Sequence, residues 1–232
     1  MFQRLAIDRG AILFDPERIT TPGPQLFDRD YWQAQGALVE LPGGRGSIHF
    51  IEQDGRRWAM RRYLRGGMAA RVARDRYLYF GEERTRSFRE LRLLDALRRR
   101  GLPVPVPVAA SYRRGHFRYD AELITERLPG SRSLADALAA GHMDEARWTA
   151  IGRCLRRFHD AGVQHADLNA HNVMLGEQGE VWLLDFDRGR LRAPGPWRER
   201  VLGRLERSLA KVGAGRESWR QGFRRLRLAH DG

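Results

Sequence analysis

Cysteine is nearly absent: Cys154 is the only one in 232 residues, so no internal disulfide framework is possible. That suits a reducing compartment. Lysine is almost missing too; Lys211 stands alone among 42 cationic residues, the rest being arginine. No run approaches the roughly 18 apolar residues of a membrane span. The opening stretch MFQRLAIDRGAILFDPER lacks the uninterrupted apolar core of a secretory signal, so the expectation is a soluble, cytoplasmic, bacterial-type protein. There is no internal repeat, no low-complexity tract, no zinc-ligand spacing and no basic zipper. Nor is there an interleaved aromatic and basic run of the kind that stacks bases, which counts against a nucleic-acid-binding module. Negative charge is in short supply: 29 acidic residues leave a net charge of +13. A field of that sign favours an anionic partner, whether nucleic acid, an acidic membrane surface or a phosphorylated or carboxylated substrate, and charge alone does not choose among these.

What is present is enough for a core. The chain is 42% hydrophobic, which suits one domain or two small lobes. Segments 47–52 and 57–64 are apolar-rich and flank QDG, a hairpin turn signal. Phe88, Leu91, Leu94 and Leu97 line one face of a helix over 87–99, which Gly101 and Pro103 end. The prolines of LPVPVPVAA impose an extended segment, and YDAELITERLPG reads as a buried strand entering a turn. Ser133 is a candidate cap for a short helix. Trp148, Ile151, Leu155 and Phe158 mark an amphipathic helix over 144–160, ended by Gly162. A short strand at 173–175, the turn GEQG and the strand VWLLDF follow, then arginine-rich helices with the spacing of solvated faces. Strands dominate the first half and helices the second. The expected division is 1–127 and 128–232.

The polar residues between these elements carry the chemistry. HADLNAHNVML, residues 165–175, is followed ten residues later by DFD, residues 185–187. Asp167, Asn172 and Asp185 offer the oxygen donors that a hard cation such as Mg²⁺ takes, typically as one or two protein ligands completed by phosphate and water. The GEQG return would bring 172–174 beside 183–185 and so place Asn172 near Asp185. Taken singly, each of these residues reads first as a turn cap; as a set at this spacing they read as a site.

The pattern His-x-Asp-Leu-x-x-x-Asn with Asp-Phe-x resembles the catalytic loop and metal motif of the protein-kinase-like phosphotransferases. The resemblance implies an α+β, two-lobed fold with a small strand-rich N-lobe, a mainly helical C-lobe and ATP in the cleft between them. It implies that Asp167 is the base and that Asn172 and Asp185 hold Mg²⁺ against the ATP phosphates. His165 would brace the loop, and His171 is read as structural. Gly44 and Gly46 of GGRGS would cover the phosphates, or form an ordinary hairpin turn. The family's Ala-x-Lys becomes Ala59-x-Arg61. Residues two apart share a strand face, so Arg61 points with Ala59 while Arg62 points away. Glu90 is either the partner of Arg61 or part of a capping box with Ser87. Glu126 and Leu128 would present backbone groups to adenine. Asp187 replaces the family's motif glycine, and Pro194 and Pro196 arrive without an Ala-Pro-Glu sequence, so a protein-substrate platform is not expected.

Beyond these motifs, GRGSIHF, MRRYLRGG, DRYLYFGEERTRSFRELRLL, GLPVPVPVAA, HADLNAHNVML, DFDRGRLR and RLERSLAK resemble one branch, the bacterial 3-deoxy-D-manno-octulosonic acid (Kdo) kinases, over roughly residues 40–212. That resemblance implies ATP-dependent phosphorylation of the 4-hydroxyl of Kdo on a lipid A precursor, in lipopolysaccharide core assembly. The expected partners are this anionic glycolipid and the cytoplasmic face of the inner membrane, held peripherally. Two alternatives stay open at this point: a kinase of another acceptor, such as a lipopolysaccharide heptose or an aminoglycoside, and a non-catalytic basic module that grips nucleic acid.

Overall fold

The computed structural model describes residues 1–40, 48–63, 77–116, 118–214 and 218–232. Gly44 and Gly46 fall outside the described residues. Within them the chain is a mixed α/β protein with one large antiparallel sheet and six α-helices. It divides into two compact units, Met1–Asp95 with Val106–Arg127, and Ala96–Pro105 with Leu128–Gly232.

The first unit is built on eight strands: β1 (Gln3–Ile7), β2 (Gly10–Phe14), β3 (Leu38–Val39), β4 (Ile48–Gln53), β5 (Arg56–Arg62), β6 (Tyr77–Leu78), β7 (Pro107–Arg114) and β8 (Arg118–Glu126). Their order across the sheet is β1-β2-β7-β8-β5-β4-β3, with β6 also on β8. At the β4–β5 hairpin Gln53 faces Arg56, leaving Asp54 and Gly55 as a two-residue turn with φ of 51° and 76°. Two positive φ values match the twist of the flanking strands, which is why Asp-Gly sits there. Along β5 the side chains alternate: Trp58 and Met60 are buried on one face, Ala59 and Arg61 are half-buried on the other.

The Trp58 face is closed from the N-terminus. Helix α1 (Arg29–Ala34), capped by Asp28, delivers Trp32 edge-on to Trp58 at a centroid distance of 6.0 Å. The indole N–H is satisfied by the Leu26 carbonyl at 2.8 Å. Burying a side chain of this size contributes roughly 1.5–3 kcal/mol. This helix is not visible in the local pattern of the N-terminal third, which reads as strands and turns. Helix α2 (Arg86–Arg99) buries Phe88, Leu91, Leu94 and Leu97, the stripe that its periodicity predicts.

The second unit runs β9 (Arg132–Ser133), α3 (Leu134–Ala139), α4 (Glu145–Asp160), β10 (Val163–Gln164), β11 (Val173–Leu175), β12 (Val181–Leu183), β13 (Arg190–Leu191), α5 (Trp197–Val212) and α6 (Ser218–Asp231). Ser133 caps α3 by accepting from the Asp136 N–H at 3.1 Å, as its sequence position predicts. Asp144 caps α4 in the same way, through the Arg147 N–H. Helices α4 and α6 approach closely at two glycines. A Cβ on Gly152 would stand 2.2 Å from the Leu226 carbonyl oxygen, and one on Gly222 would stand 2.1 Å from the indole of Trp148.

Candidate active site

The chemistry-bearing residues of the second unit lie on the loop before β11 and just after β12. These strands pair antiparallel, with Val173 opposite Leu183 and Leu175 opposite Val181. One further bond, from the Leu184 N–H to the Asn172 carbonyl at 2.9 Å, carries the pairing past the strand ends. Leu184 thus faces Asn172, and Asp185 follows one residue later. Asp185 lies two residues beyond the strand rather than ending it, at a φ of 64°. A left-handed conformation costs a non-glycine residue roughly 1–2 kcal/mol, and Asp and Asn bear it best.

The loop from His165 to Asn172 is fastened at several points. His165 is buried, which pushes its pKa down and keeps the ring neutral. Its Nδ1 accepts from the Asp167 N–H at 3.2 Å, so the ring proton sits on Nε2 and is donated to the Leu184 carbonyl at 2.8 Å. One side chain thus ties the loop to the residue before Asp185. Asn172 Nδ2 donates to the Asp167 carbonyl at 3.0 Å, which leaves its Oδ1 as the acceptor end of the amide. Ala170 is fully buried; its N–H donates to Ser208 Oγ at 3.0 Å, and its carbonyl accepts from the Ala135 N–H at 3.0 Å. Below the loop, Phe186 packs on His165 at 4.7 Å and stacks on Phe158 at 5.8 Å. His171 is exposed.

Held this way, Asp167 turns its carboxylate outward, with a side chain 64% exposed. Its Oδ1 accepts from Arg204 Nη1 of α5 at 3.1 Å. Neither Arg204 nor Ser208 is identifiable from the sequence as part of this site. Each is one polar residue among many on an arginine-rich helix, and no local spacing links either to the loop.

In the first unit, Arg61 and Glu90 are brought together. Arg61 Nη2 lies 2.6 Å from Glu90 Oε2, whose carboxylate is 2% exposed. Tyr63 donates its hydroxyl to the same oxygen at 2.6 Å, and its ring lies under the Arg61 guanidinium at 4.7 Å. Burial, and then the neighbouring carboxylate, raise the Tyr63 pKa well above the phenol range, so the hydroxyl stays a donor. Ser87 instead donates to the Ser111 carbonyl, and α2 begins before it, so the capping-box alternative for Glu90 is excluded. Arg62 points away, half-exposed, 3.8 Å from Asp120. The Glu126 carboxylate accepts from Arg18 Nε at 2.7 Å, while its N–H is bonded to the Val106 carbonyl. Leu128, in the second unit, accepts at its carbonyl from Ser131 Oγ.

A family model, "Lipopolysaccharide kinase (Kdo/WaaP) family", matches residues 29–224. The chain belongs to that family. It is 49% identical over 226 residues to a protein of Stenotrophomonas maltophilia strain K279a named 3-deoxy-D-manno-octulosonic acid kinase, covering 96% of this chain and 90% of that one. Proteins of the same name in Xanthomonas euvesicatoria pv. vesicatoria strain 85-10 and Xylella fastidiosa strain 9a5c are 49% and 47% identical, each again over 96% of this chain and 90% of the relative. The family makes the chain a phosphotransferase. Among solved structures, the 2.2 Å crystal structure of WbdD superposes with a TM-score of 0.51 at 19% identity, covering 84% of this chain and 44% of WbdD. This likeness concerns the fold alone.

Proposed function

We propose that this protein is an ATP-dependent sugar kinase of the two-lobed, protein-kinase-like fold. Its acceptor is the 4-hydroxyl of Kdo on a Kdo–lipid A precursor, a step of lipopolysaccharide core assembly. The observation that carries this reading is the 49% identity, over 96% of the chain, to a named Kdo kinase.

The residues supply the chemistry the reading needs. Asp167 takes the proton of the attacking hydroxyl; a positioned base contributes about 10²–10⁴ in rate. Asn172 Oδ1 and the Asp185 carboxylate hold Mg²⁺. Among the described residues no group of three or more His, Cys, Asp or Glu gathers as for an ion caged by protein alone. Two oxygen donors, Asn172 and the residue after its ladder partner Leu184, instead suit Mg²⁺, which keeps most of its shell for phosphate and water. When bound, the ion neutralises charge on the phosphates. Arg61 extends a guanidinium toward the phosphates from a fixed position, since Glu90 and Tyr63 restrict its rotamer. With the Glu126 N–H bonded to the Val106 carbonyl, the backbone groups assigned to adenine in this reading are the Glu126 carbonyl and the Leu128 N–H. Gly44 and Gly46, which lie outside the described residues, are assigned the phosphate-covering turn in this reading.

No helix among the described residues is long and apolar enough to cross a membrane. Together with the net charge of +13, this supports peripheral, electrostatic contact with the cytoplasmic face of the inner membrane. The catalytic set favours an anionic glycolipid over nucleic acid as partner. Incubation with ATP, Mg²⁺ and a Kdo–lipid A precursor should add one phosphate, read by mass. If the Kdo-free precursor gains the same phosphate, the acceptor site is not Kdo. If a heptose acceptor or an aminoglycoside is phosphorylated instead, the substrate assignment moves to that compound.

A further inference from the structure

The Arg204–Asp167 contact is poorly explained as a stabilising ion pair. Both side chains are largely exposed, 49% and 64%, and such a pair contributes between nothing and about 1 kcal/mol. Its position is nevertheless well determined. Helix α5 buries Trp197, Val201, Leu202, Leu205 and Leu209, and Ser208, one turn beyond Arg204, accepts from the Ala170 N–H inside the catalytic loop. Residues four apart share a helix face. The helix that carries Arg204 is therefore joined directly to the loop that carries Asp167.

Arg204 also belongs to a stripe. Arg200, Arg204, Arg207 and Lys211 fall at i, i+4, i+7 and i+11 on α5, and all four are exposed. Among the described residues, Arg200, Arg207 and Lys211 make no ion pair with a carboxylate. Four cations along one line, one of them on the candidate base, make a seat for an acceptor with more than one negative charge.

The acceptor chemistry gives this arrangement a necessity. A sugar acid brings its own carboxylate close to the hydroxyl that Asp167 must reach. Two carboxylates in one small site repel unless a cation lies between them. A guanidinium has two edges and several N–H donors, so it can bridge a carboxylate on each side where a single ammonium would compromise. We propose that Arg204 is the receptor for the acceptor's carboxylate. It lies between that group and Asp167, and Arg200, Arg207 and Lys211 extend the seat to further anionic groups of the same molecule. This inference rests on the kinase reading above and names the substrate-recognising side of that same site.

The test uses the full-length protein, ATP, Mg²⁺ and two soluble probes: a deacylated Kdo-terminated glycan and its carboxamide, in which the sugar carboxylate is neutralised. Soluble probes remove any contribution from membrane partition. Phosphorylation of the acid probe by the wild type establishes the kinase reading; no phosphorylation of it would defeat that reading whatever Arg204 does. Given turnover, Arg204→Met should raise the acceptor KM by about ten- to a hundredfold, the range for a hydrogen bond to a charged group. The KM for ATP should stay within about twofold, because only acceptor contacts are lost. Amidation should raise the wild-type KM comparably and change the variant's little, since both remove one contact. Arg204→Lys should recover part of the loss. If Arg204→Met lowers kcat with both KM values unchanged, Arg204 only positions Asp167 and the proposal is wrong. If the substitution and the amidation act additively, the carboxylate binds elsewhere, and the proposal is equally wrong.

Discussion

Removing the Arg61 side chain should cost stability as well as activity. Glu90 is 2% exposed, and its Oε2 lies 2.6 Å from both Arg61 Nη2 and the Tyr63 hydroxyl. Breaking a buried ion pair from one side typically costs about 3–5 kcal/mol, because a charge is left uncompensated. Arg61 is 22% exposed, so water reaches the guanidinium and part of that penalty is already screened. The expected loss for Arg61→Ala is therefore about 2–3 kcal/mol, which for a chain of this size lowers the Tm by roughly 4–12 °C. Arg62→Ala should stay within about 0.5 kcal/mol, since Arg62 is half-exposed and only 3.8 Å from Asp120 at best. Thermal scans of the wild type and the two variants by circular dichroism decide this. If Arg62→Ala is the costly change and Arg61→Ala is not, the account of the Arg61–Glu90 pair is wrong.

Three further outcomes are expected. Gly222→Ala should destabilise by about 1–3 kcal/mol despite alanine's advantage in a helix, because its Cβ would stand 2.1 Å from the Trp148 indole; Trp148→Leu in the same chain should return part of the loss, read as a denaturation midpoint. Burial and the facing His230 push the His159 pKa down to about 3. Unfolding therefore takes up a proton that the native state refuses, so stability present above about pH 6.5 is lost as pH falls towards 3. His165, also lowered, adds the same sign, so His159→Phe should flatten but not abolish the slope of the denaturation midpoint between about pH 4.5 and 6.5. Asp185→Asn should keep the fold, since Asn tolerates the positive φ, and should abolish Mg²⁺-dependent phosphorylation; near-normal turnover at saturating Mg²⁺ would refute the metal assignment.

What could be read from the sequence was set by short-range chemistry. The Asp54–Gly55 turn, the Ser133 cap, the buried stripes of α2 and α4 and the β11–β12 return are each specified within a dozen residues. That return brings the backbone of Asn172 onto Leu184, the residue before Asp185. The Arg61–Glu90 pair spans 29 residues but was still legible, because strand alternation separates Arg61 from Arg62. Contacts without a periodic signature were not legible. Arg204 reaches Asp167 across 37 residues and Arg18 reaches Glu126 across 108, in a chain with 42 cationic residues to choose from. The Tyr63 hydroxyl had no signal either; a tyrosine after a strand of arginines reads as ordinary packing. Helix α1 was hidden because it is only six residues long and owes its place to Trp32 meeting Trp58.

The position of β2 in the sheet bears on how the chain is made. Strand β2 finishes at Phe14, yet its inner neighbour β7 pairs Ala109 with that residue. Ribosomes add about 5–20 residues per second, so the first hairpin waits on the order of 5–20 s before its partner exists. During that interval the β2 sequence GAILF, buried at four of its five positions in the finished protein, has no sheet to join. The first unit is thus completed only when the β7–β8 hairpin has left the ribosome. A nascent chain halted before residue 126 should be a client for chaperones, and the completed chain should not.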